Sequence, residues 1–177
     1  MKLILIMVTS LDGRSTKGSL SDNHVWTSPE DQEHFQNVLE NASLIIMGSK
    51  TYEAARDGGI EHKDGRLRVI ITRTPEKYES EKIPGKLEFT NENPTELINR
   101  LENKGYATGC LVGGANTNTE FFKQNLVTEL WQTIEPKILG KGNGIIGEEE
   151  TEISLELIES KKLNDKGTLL LKYKVLK

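Results

Sequence analysis

Short apolar runs that alternate with helical stretches constrain the fold of this chain more than any other feature. Each run is rich in aliphatic residues and is bounded by turn residues, as expected of buried strands. The runs cover residues 3–8, 44–47, 67–72, 110–112 and 129–134. The stretches with helical spacing cover residues 29–41, 49–56, 94–104 and 116–124. This alternation predicts an α/β fold, with a mostly parallel sheet covered by helices on both faces.

The last third of the chain follows a different pattern. Two long runs, residues 153–162 and 168–177, are separated by Asn164-Asp165-Lys166-Gly167, which is typical of a hairpin turn. They predict an antiparallel pair of strands at one edge of the sheet. Residues 148–152 hold four glutamates, which indicates a solvated loop or, alternatively, a contact surface. We expect residues 1–177 to form a single domain, because 177 residues are enough for one core.

Composition narrows the function classes. The chain has 23 basic and 27 acidic residues and a net charge of −4, which argues against a nucleic-acid partner and favours a small-molecule ligand. Cys110 is its only cysteine and its three histidines lack metal-ligand spacing, so we expect neither an intramolecular disulfide nor a bound metal. The apolar run at residues 3–8 is too short to be a signal segment or a membrane span. We therefore expect a cytoplasmic protein with no membrane partner.

The segment from Trp26 to Phe35 contains the first candidate for chemistry. Ser28 is placed to cap a helix that begins at Pro29, with Asp31 at its third position. Asp31 then has two interpretations. It caps its own helix, as acids in a first turn commonly do. Alternatively, its carboxyl lies among the aromatic side chains of Trp26 and Phe35, where a raised pKa would let it hold or donate a proton.

A second candidate is the pair Gly113-Gly114, which leads from a strand toward a helix that begins near Asn116. Backbone N–H groups at such a helix start can bind a pyrophosphate. The pair lacks the three-glycine fingerprint of dinucleotide-binding proteins, and an ordinary turn is the alternative interpretation. The glycine-rich residues 140–144 lack a phosphate-loop pattern and indicate a flexible loop.

Two further strand ends carry cations and hydroxyls. Gly48 precedes Lys50 and Thr51 at one strand end, and Thr72 precedes Arg73 at another. Cations and hydroxyls together suit a ribose 2′-phosphate, which favours NADPH over NADH as the cofactor. The alternative is that Lys50 and Arg73 are solvated surface charges.

Taken in chain order, these motifs resemble the dihydrofolate reductase superfamily, which includes the reductase domain of the riboflavin-pathway deaminase-reductases. The resemblance extends over nearly the whole chain. Trp26, Pro29, Asp31 and Phe35 match the family's Trp-x-x-Pro-x-Asp motif and the phenylalanine that follows it. The resemblance implies a dihydrofolate reductase-like three-layer fold, with a mostly parallel central sheet, an antiparallel C-terminal hairpin and helices on both faces.

The resemblance also implies roles for residues. Asp31 would bind the substrate ring and assist its protonation, and Thr133 would hydrogen-bond that acid. Trp26, Phe35 and Arg66 would contact the substrate, Arg66 matching the arginine that family members use on a folate carboxylate. With the strand ends above, the candidate cofactor-binding set is Gly48, Lys50, Thr51, Thr72, Arg73, Gly113, Gly114 and Asn116.

Two other segments, residues 10–14 and 135–142, are similar to the corresponding sequences of the riboflavin branch. That branch carries a glutamate where this chain has Leu111 and a substrate-binding arginine where it has Glu40, which counts against a ribose-phosphate substrate. Many dihydrofolate reductases have an arginine for the 2′-phosphate where this chain has Ser49, so Lys50 or Arg73 would replace it.

The resemblance implies an NADPH-dependent reductase that transfers a hydride to a pteridine or pyrimidine ring. One alternative is the 5-amino-6-(5-phosphoribosylamino)uracil reductase of riboflavin biosynthesis. Another is a protein that binds NADPH without turnover. A homodimer is the assembly that the resemblance implies.

Overall fold

One eight-stranded sheet organises the structure, a computed structural model that describes residues 1–19, 23–56 and 58–177. Its strands are β1 Lys2–Ser10, β2 Leu44–Gly48, β3 Leu67–Ile71, β4 Leu87–Thr90, β5 Thr108–Leu111, β6 Glu129–Glu135, β7 Leu155–Lys162 and β8 Leu169–Val175. Its α-helices are α1 Pro29–Glu40, α2 Ser49–Arg56, α3 Pro94–Asn103 and α4 Ala115–Lys123. Short 3₁₀ turns lie at Asn23–Val25 and Pro75–Glu81.

The strand order is β4-β3-β2-β5-β1-β6-β8-β7. The pairs among β1 to β6 are all parallel, whereas β8 is antiparallel to both β6 and β7. This confirms the predicted mostly parallel sheet with an antiparallel C-terminal hairpin. Because β1 to β6 run the same way, their carboxyl ends all lie at one edge, which we call the carboxyl edge.

Alternating side chains divide the sheet into two apolar faces. Along β1, Ile4 and Ile6 face a cluster with Tyr52 of α2 and Phe35 of α1. Leu3 and Leu5 face the opposite cluster, which includes Leu97, Leu101 and Phe121 of α3 and α4. We call these the first face and the second face, and the predicted layers of helices are confirmed on both.

Most of the predicted strands and helices agree with the structure to within a few residues, but β4 was missed. It has only four residues, Leu87–Thr90, of which Glu88 is charged. So short a segment shows no clear periodicity and depends on pairing with β3 and on the stacking of Phe89 against Tyr78, whose ring centroids are 4.7 Å apart.

The predicted hairpin turn is confirmed between β7 and β8. Gly167 has a φ of +100°, which suits glycine, and the amide of Thr168 donates to Oδ1 of Asn164 at 3.1 Å. Residues 148–152 form an exposed loop before β7. None of the helices in the described ranges is long and apolar enough to span a membrane.

The loops after β1 and β6 form one unit at the carboxyl edge. Both carboxylate oxygens of Asp12 accept backbone N–H groups, from Leu139 at 3.0 Å and Gly140 at 2.7 Å. A hydrogen bond from the Ser10 hydroxyl, together with these two backbone hydrogen bonds, lowers the pKa of Asp12 to about 2. A Cβ on Gly142 would lie 1.9 Å from the Thr16 carbonyl oxygen, so only glycine fits there. The predicted loop at residues 140–144 is therefore held by specific contacts.

Candidate functional site

Asp31 lies in the first turn of α1, at the carboxyl edge. Ser28 caps this helix as predicted: its backbone is extended and its hydroxyl accepts a hydrogen bond from the Asp31 amide at 3.3 Å. The helix cap is thus the Ser28 side chain, and the carboxyl group of Asp31 has other partners. Asp31 is buried, with 6% of its surface exposed, and it contacts Thr133 on β6.

The surroundings of Asp31 favour its protonated form. Burial is the main cause and raises its pKa to about 6. Hydrogen bonds with the side chains of Thr133 and Thr27 oppose this shift, whereas the charge of Glu135 adds to it and that of His24 opposes it. Asp31 can therefore hold or release a proton near neutral pH, which is the property that general acid catalysis requires.

Glu135, which our sequence analysis did not select, is a second buried acid beside Asp31. It is 1% exposed. One of its carboxylate oxygens accepts the Ser28 amide at 2.7 Å and the other accepts the Thr168 hydroxyl at 3.1 Å. Its position two residues after Thr133 could have identified it from the sequence, because residues two apart on a strand have side chains on the same face.

The hairpin turn also holds the start of α1. Asn164 donates from Nδ2 to the Glu30 carboxylate and to the Thr168 hydroxyl, both at 3.0 Å. On the other side, the Lys137 ammonium donates to the Trp26 carbonyl oxygen. The first turn of α1 and the segment before it are therefore fixed by β6, by the residues after β6 and by the hairpin turn.

The two aromatic residues of the predicted motif differ in their surroundings. Trp26 is buried, and its indole N–H has no hydrogen-bond partner among the described residues. A buried donor without a partner is costly, which suggests that a ligand oxygen would satisfy it. Phe35 is half-buried and packs on the first face with Trp131.

At the ends of β2 and β5, two helix starts meet with almost no side chains between them. The Gly48 amide donates to the Gly113 carbonyl oxygen at 2.8 Å, and the Gly113-Gly114 peptide is cis. A Cβ on Gly48 would lie 2.4 Å from Oγ1 of Thr117, and one on Gly114 would lie 3.3 Å from Oγ1 of Thr51. The two helix starts approach so closely that a side chain at Gly48 or Gly114 would crowd its neighbour, which explains the glycines at these positions.

The start of α4 can accept an anion. Gly114 is its N-cap and provides no side-chain cap. The first N–H groups of a helix lack partners within it, and the helix dipole makes that end positive. The half-buried Gly114 and the exposed Asn116 lie at this start. These features fit a pyrophosphate, and they are the groups that would hold one.

The predicted phosphate-binding cations lie on the neighbouring strand ends. Lys50 is exposed in the first turn of α2 and Arg73 is exposed just after β3. Neither has an ion pair among the described residues. Thr72, the residue before Arg73, is buried, and its hydroxyl accepts a hydrogen bond from the Thr74 amide at 3.3 Å. Because β2 and β3 are adjacent and parallel, both cations lie at the carboxyl edge.

Arg66 is the one predicted site residue that lies elsewhere. It precedes β3, at the opposite edge of the sheet, and is 8% exposed. Its guanidinium donates to the carbonyl oxygens of Ala42 at 3.1 Å and Glu40 at 3.0 Å, at the end of α1. Arg66 thus stabilises the helix terminus, and its contact with a substrate stays a prediction.

A cavity of about 370 Å³ lies away from these residues, near the amino ends of the strands. Ile4, Cys110 and Trp131 are among its lining residues. Burial raises the pKa of Cys110 to about 11, so its thiol is a poor nucleophile at neutral pH. Within the part of the chain that the structure describes, no group of His, Cys, Asp or Glu is placed to bind a metal.

β1 separates the two halves of the candidate site. Asp31, Thr133 and Glu135 lie at the end of β6, and Gly113 follows β5, with β1 paired to both strands. Two strand spacings separate β5 from β6, or roughly 10 Å. The buried acid, which could contact a substrate ring, and the start of α4, which could bind a pyrophosphate, therefore lie side by side at the carboxyl edge. Open α/β sheets bind ligands at this edge.

Comparisons with known proteins identify a matching family. The family model described as the RibD C-terminal domain matches residues 1–169. An uncharacterized protein of Bacillus subtilis (strain 168), YwjB, is 25% identical in an alignment of 163 residues that covers 88% of this chain and 88% of that one.

Solved structures show the same fold. A pyrimidine reductase-like protein of Corynebacterium diphtheriae superimposes with a TM-score of 0.77 at 15% identity, covering 99% of this chain and 92% of that one. A diaminohydroxyphosphoribosylaminopyrimidine deaminase/5-amino-6-(5-phosphoribosylamino)uracil reductase of Thermotoga maritima gives 0.75 at 14% identity, covering 99% of this chain and 56% of that one. The predicted dihydrofolate reductase-like fold is confirmed.

The raised pKa of Asp31 predicts how stability depends on pH. Its folded pKa of about 6 exceeds the usual aspartate value of 3.8, so the stabilising contribution of protonated Asp31 is fully present below about pH 4 and is lost as the pH rises through about 6. We expect Asp31→Asn to raise the free energy of unfolding by about 2–3 kcal/mol at pH 8 and to change it little at pH 4. Urea unfolding at both pH values measures this, and equal effects at the two would contradict it.

The contacts of Glu135 predict a second effect. Glu135→Gln removes the like charge beside Asp31, so we expect the pKa of Asp31 to fall below about 6. It also replaces one accepting oxygen by an amide donor, which should cost roughly 1–3 kcal/mol of unfolding free energy. Carbon-detected NMR titration of the Asp31 carboxyl measures the shift. The exposed Glu156→Gln is the control, and an unchanged Asp31 titration in Glu135→Gln would refute the coupling.

Proposed function

Because the chain belongs to the RibD C-terminal domain family, we propose that it is an NADPH-dependent reductase that transfers a hydride to a pteridine or pyrimidine ring. The observation that supports this best is the pairing of two features at one sheet edge. One is a buried acid with a pKa of about 6, Asp31. The other is the pair of helix starts that meet at Gly48 and Gly113.

In this proposal the residues of the first face bind the substrate ring. Asp31 holds the amidine-like edge of the ring and keeps a proton on the nitrogen next to the carbon that is reduced. Thr133 orients the Asp31 carboxyl, and Glu135 fixes Ser28 at the start of α1. The indole N–H of Trp26 donates to a ring carbonyl. Acid assistance of this kind is typically worth about 10² to 10⁴-fold in rate.

The cofactor would lie across the ends of β2, β3 and β5. The backbone around Gly113 and Gly114, with Asn116, would bind the pyrophosphate. Lys50, Thr51, Thr72 and Arg73 would bind the adenosine end and its 2′-phosphate, where two cations and two hydroxyls match the charge. NADPH, when bound, supplies the hydride. Burial of Asp31 keeps water from the acid, since only 6% of the residue is exposed.

A second candidate function is reduction of 5-amino-6-(5-phosphoribosylamino)uracil. The family match and the unit formed by residues 10–14 and 135–142 favour it. Leu111 counts against it, because this side chain is fully buried in the cluster of the second face. Glu40 stands where that branch has a substrate-binding arginine, and it lies at the end of α1 beside Arg66, away from the carboxyl edge. A third candidate is cofactor binding without turnover.

Turnover tests the role of Asp31. We expect NADPH oxidation with dihydrofolate or with the ribosylaminopyrimidine phosphate, and kcat/KM that falls as the pH rises through about 6, because the protonated acid is required. Asp31→Asn should lower turnover by about 10² to 10⁴-fold and remove this pH dependence. Glu33→Gln, an exposed acid on the same helix, is the control. Full turnover in Asp31→Asn would exclude Asp31 from the mechanism, and NADPH binding without oxidation of either substrate would favour the third candidate.

The 2′-phosphate contacts are tested separately by cofactor affinity. Lys50→Ala and Arg73→Ala should each weaken NADPH binding by roughly tenfold, the loss of one charge-assisted contact, and leave NADH binding unchanged. Isothermal titration calorimetry with both cofactors measures this. Lys104→Ala, after α3 and away from the carboxyl edge, is the control. An equal loss for NADH would show that these residues do not bind the 2′-phosphate.

A further inference from the structure

Two tyrosine–glutamate hydrogen bonds join α2 to the 3₁₀ turn that follows β3. The Tyr52 hydroxyl of α2 donates to the Glu81 carboxylate of the turn at 2.7 Å. In the opposite direction, the Tyr78 hydroxyl of the turn donates to the Glu53 carboxylate of α2 at 2.5 Å. Both tyrosines are buried, and their ring centroids lie 5.2 Å and 4.7 Å from that of Phe89. A reciprocal pair of hydrogen bonds around one aromatic cluster therefore holds the two elements together.

The same two elements adjoin the cations that we assign to the 2′-phosphate. α2 begins one residue before Lys50, and the 3₁₀ turn begins two residues after Arg73. Both cations are exposed, and neither has an ion pair among the described residues. Ser49, at the position where many dihydrofolate reductases have an arginine, adds no charge. Binding of a phosphate therefore depends on keeping these two cations free of carboxylates.

Glu53 is the carboxylate that would otherwise neutralise Lys50. It follows Lys50 by three residues on α2, and side chains at this spacing are neighbours on a helix surface, where opposite charges attract. The Glu53 carboxylate is instead held by the Tyr78 hydroxyl, across the gap between α2 and the 3₁₀ turn. Its other partner is the Lys77 ammonium at 4.0 Å, an exposed pair of a kind that contributes little in water. The hydrogen bond from Tyr78 thus leaves Lys50 unpaired.

We propose that Tyr78 determines the specificity for NADPH over NADH, because it holds Glu53 away from Lys50 and so keeps Lys50 available to the 2′-phosphate. This rests on the proposed function, in which Lys50 contacts that phosphate. The Ser49 hydroxyl supports the arrangement, since it hydrogen-bonds to the Tyr78 hydroxyl at the first residue of α2. The hydrogen bond to Glu53 also raises the pKa of Tyr78, so its hydroxyl stays a donor at neutral pH. Tyr78 is therefore a positioning residue that acts through Glu53.

Tyr52 provides a matched comparison for Tyr78. It is equally buried and donates to a glutamate of the other element. Its partner Glu81 also accepts a hydrogen bond from the Arg56 guanidinium at 3.1 Å, so Glu81 stays paired when the Tyr52 hydroxyl is removed. Glu81 ends the 3₁₀ turn and does not share a helix surface with Lys50. Loss of the Tyr52 hydroxyl should therefore lower stability without adding a negative charge beside Lys50.

Cofactor affinity tests the role of Tyr78. Tyr78→Phe should weaken NADPH binding about fivefold, the effect of one more negative charge close to the phosphate in water, and leave NADH binding unchanged. Adding Glu53→Gln should restore NADPH binding, because the released carboxylate is then absent. Isothermal titration calorimetry of the full chain measures both cofactors, with Tyr52→Phe as the control and thermal unfolding as the check that each variant folds. An equal loss for NADH, or a loss that Glu53→Gln does not restore, would overturn the proposal.

NMR of the Lys50 side chain tests the same step without a cofactor. Its nitrogen signal should move in Tyr78→Phe, as Glu53 pairs with the ammonium group, and return in the double variant with Glu53→Gln. An unchanged signal in Tyr78→Phe would overturn the proposal. Lys50→Ala separates the two levels of the argument. If it weakens NADPH binding and Tyr78→Phe does not, only the role of Tyr78 is wrong. If it leaves NADPH binding unchanged, the 2′-phosphate assignment is wrong and the specificity role is excluded with it.

Discussion

The parallel pairing of β1 with both β5 and β6 is the constraint on which the rest of the structure depends. Ile4 is in register with Cys110 on one side and with Glu129 on the other. This register brings the ends of three strands that are far apart in sequence to one edge. Asp31, Thr133 and Glu135 then lie on one side of β1 and Gly113 on the other. A change of register by one residue would turn Thr133 to the opposite face and separate it from Asp31.

The sequence predicted the parts of this arrangement that depend on local chemistry. Branched aliphatic runs specify β1, β2 and β3, and Ser28 and Pro29 specify the start of α1. The turn at Asn164 specifies the hairpin. The motif that contains Asp31 was placed at the start of a helix and the glycine pair at Gly113 at the end of a strand, because their flanking residues identify these elements.

Features that depend on tertiary contacts could not be predicted in this way. The four residues of β4 have no period of their own, and their place comes from pairing with β3 and from Phe89. Glu135 is a charged residue at a strand end, which normally indicates exposure, and only the Ser28 amide and the Thr168 hydroxyl explain its burial. Arg66 fits a family motif, yet its guanidinium is bound to carbonyl oxygens at the end of α1.

The hairpin connects the candidate acid to the last strand of the sheet. Its turn holds the first turn of α1 through Asn164 and Glu30, and Thr168 at the start of β8 donates to Glu135. Yet β7 is exposed along its whole length, and a sheet edge with few buried contacts opens more easily than the core. Opening of this edge would break the hydrogen bonds that Asn164 and Thr168 donate to Glu30 and Glu135, so the surroundings of Asp31 depend on the closed hairpin.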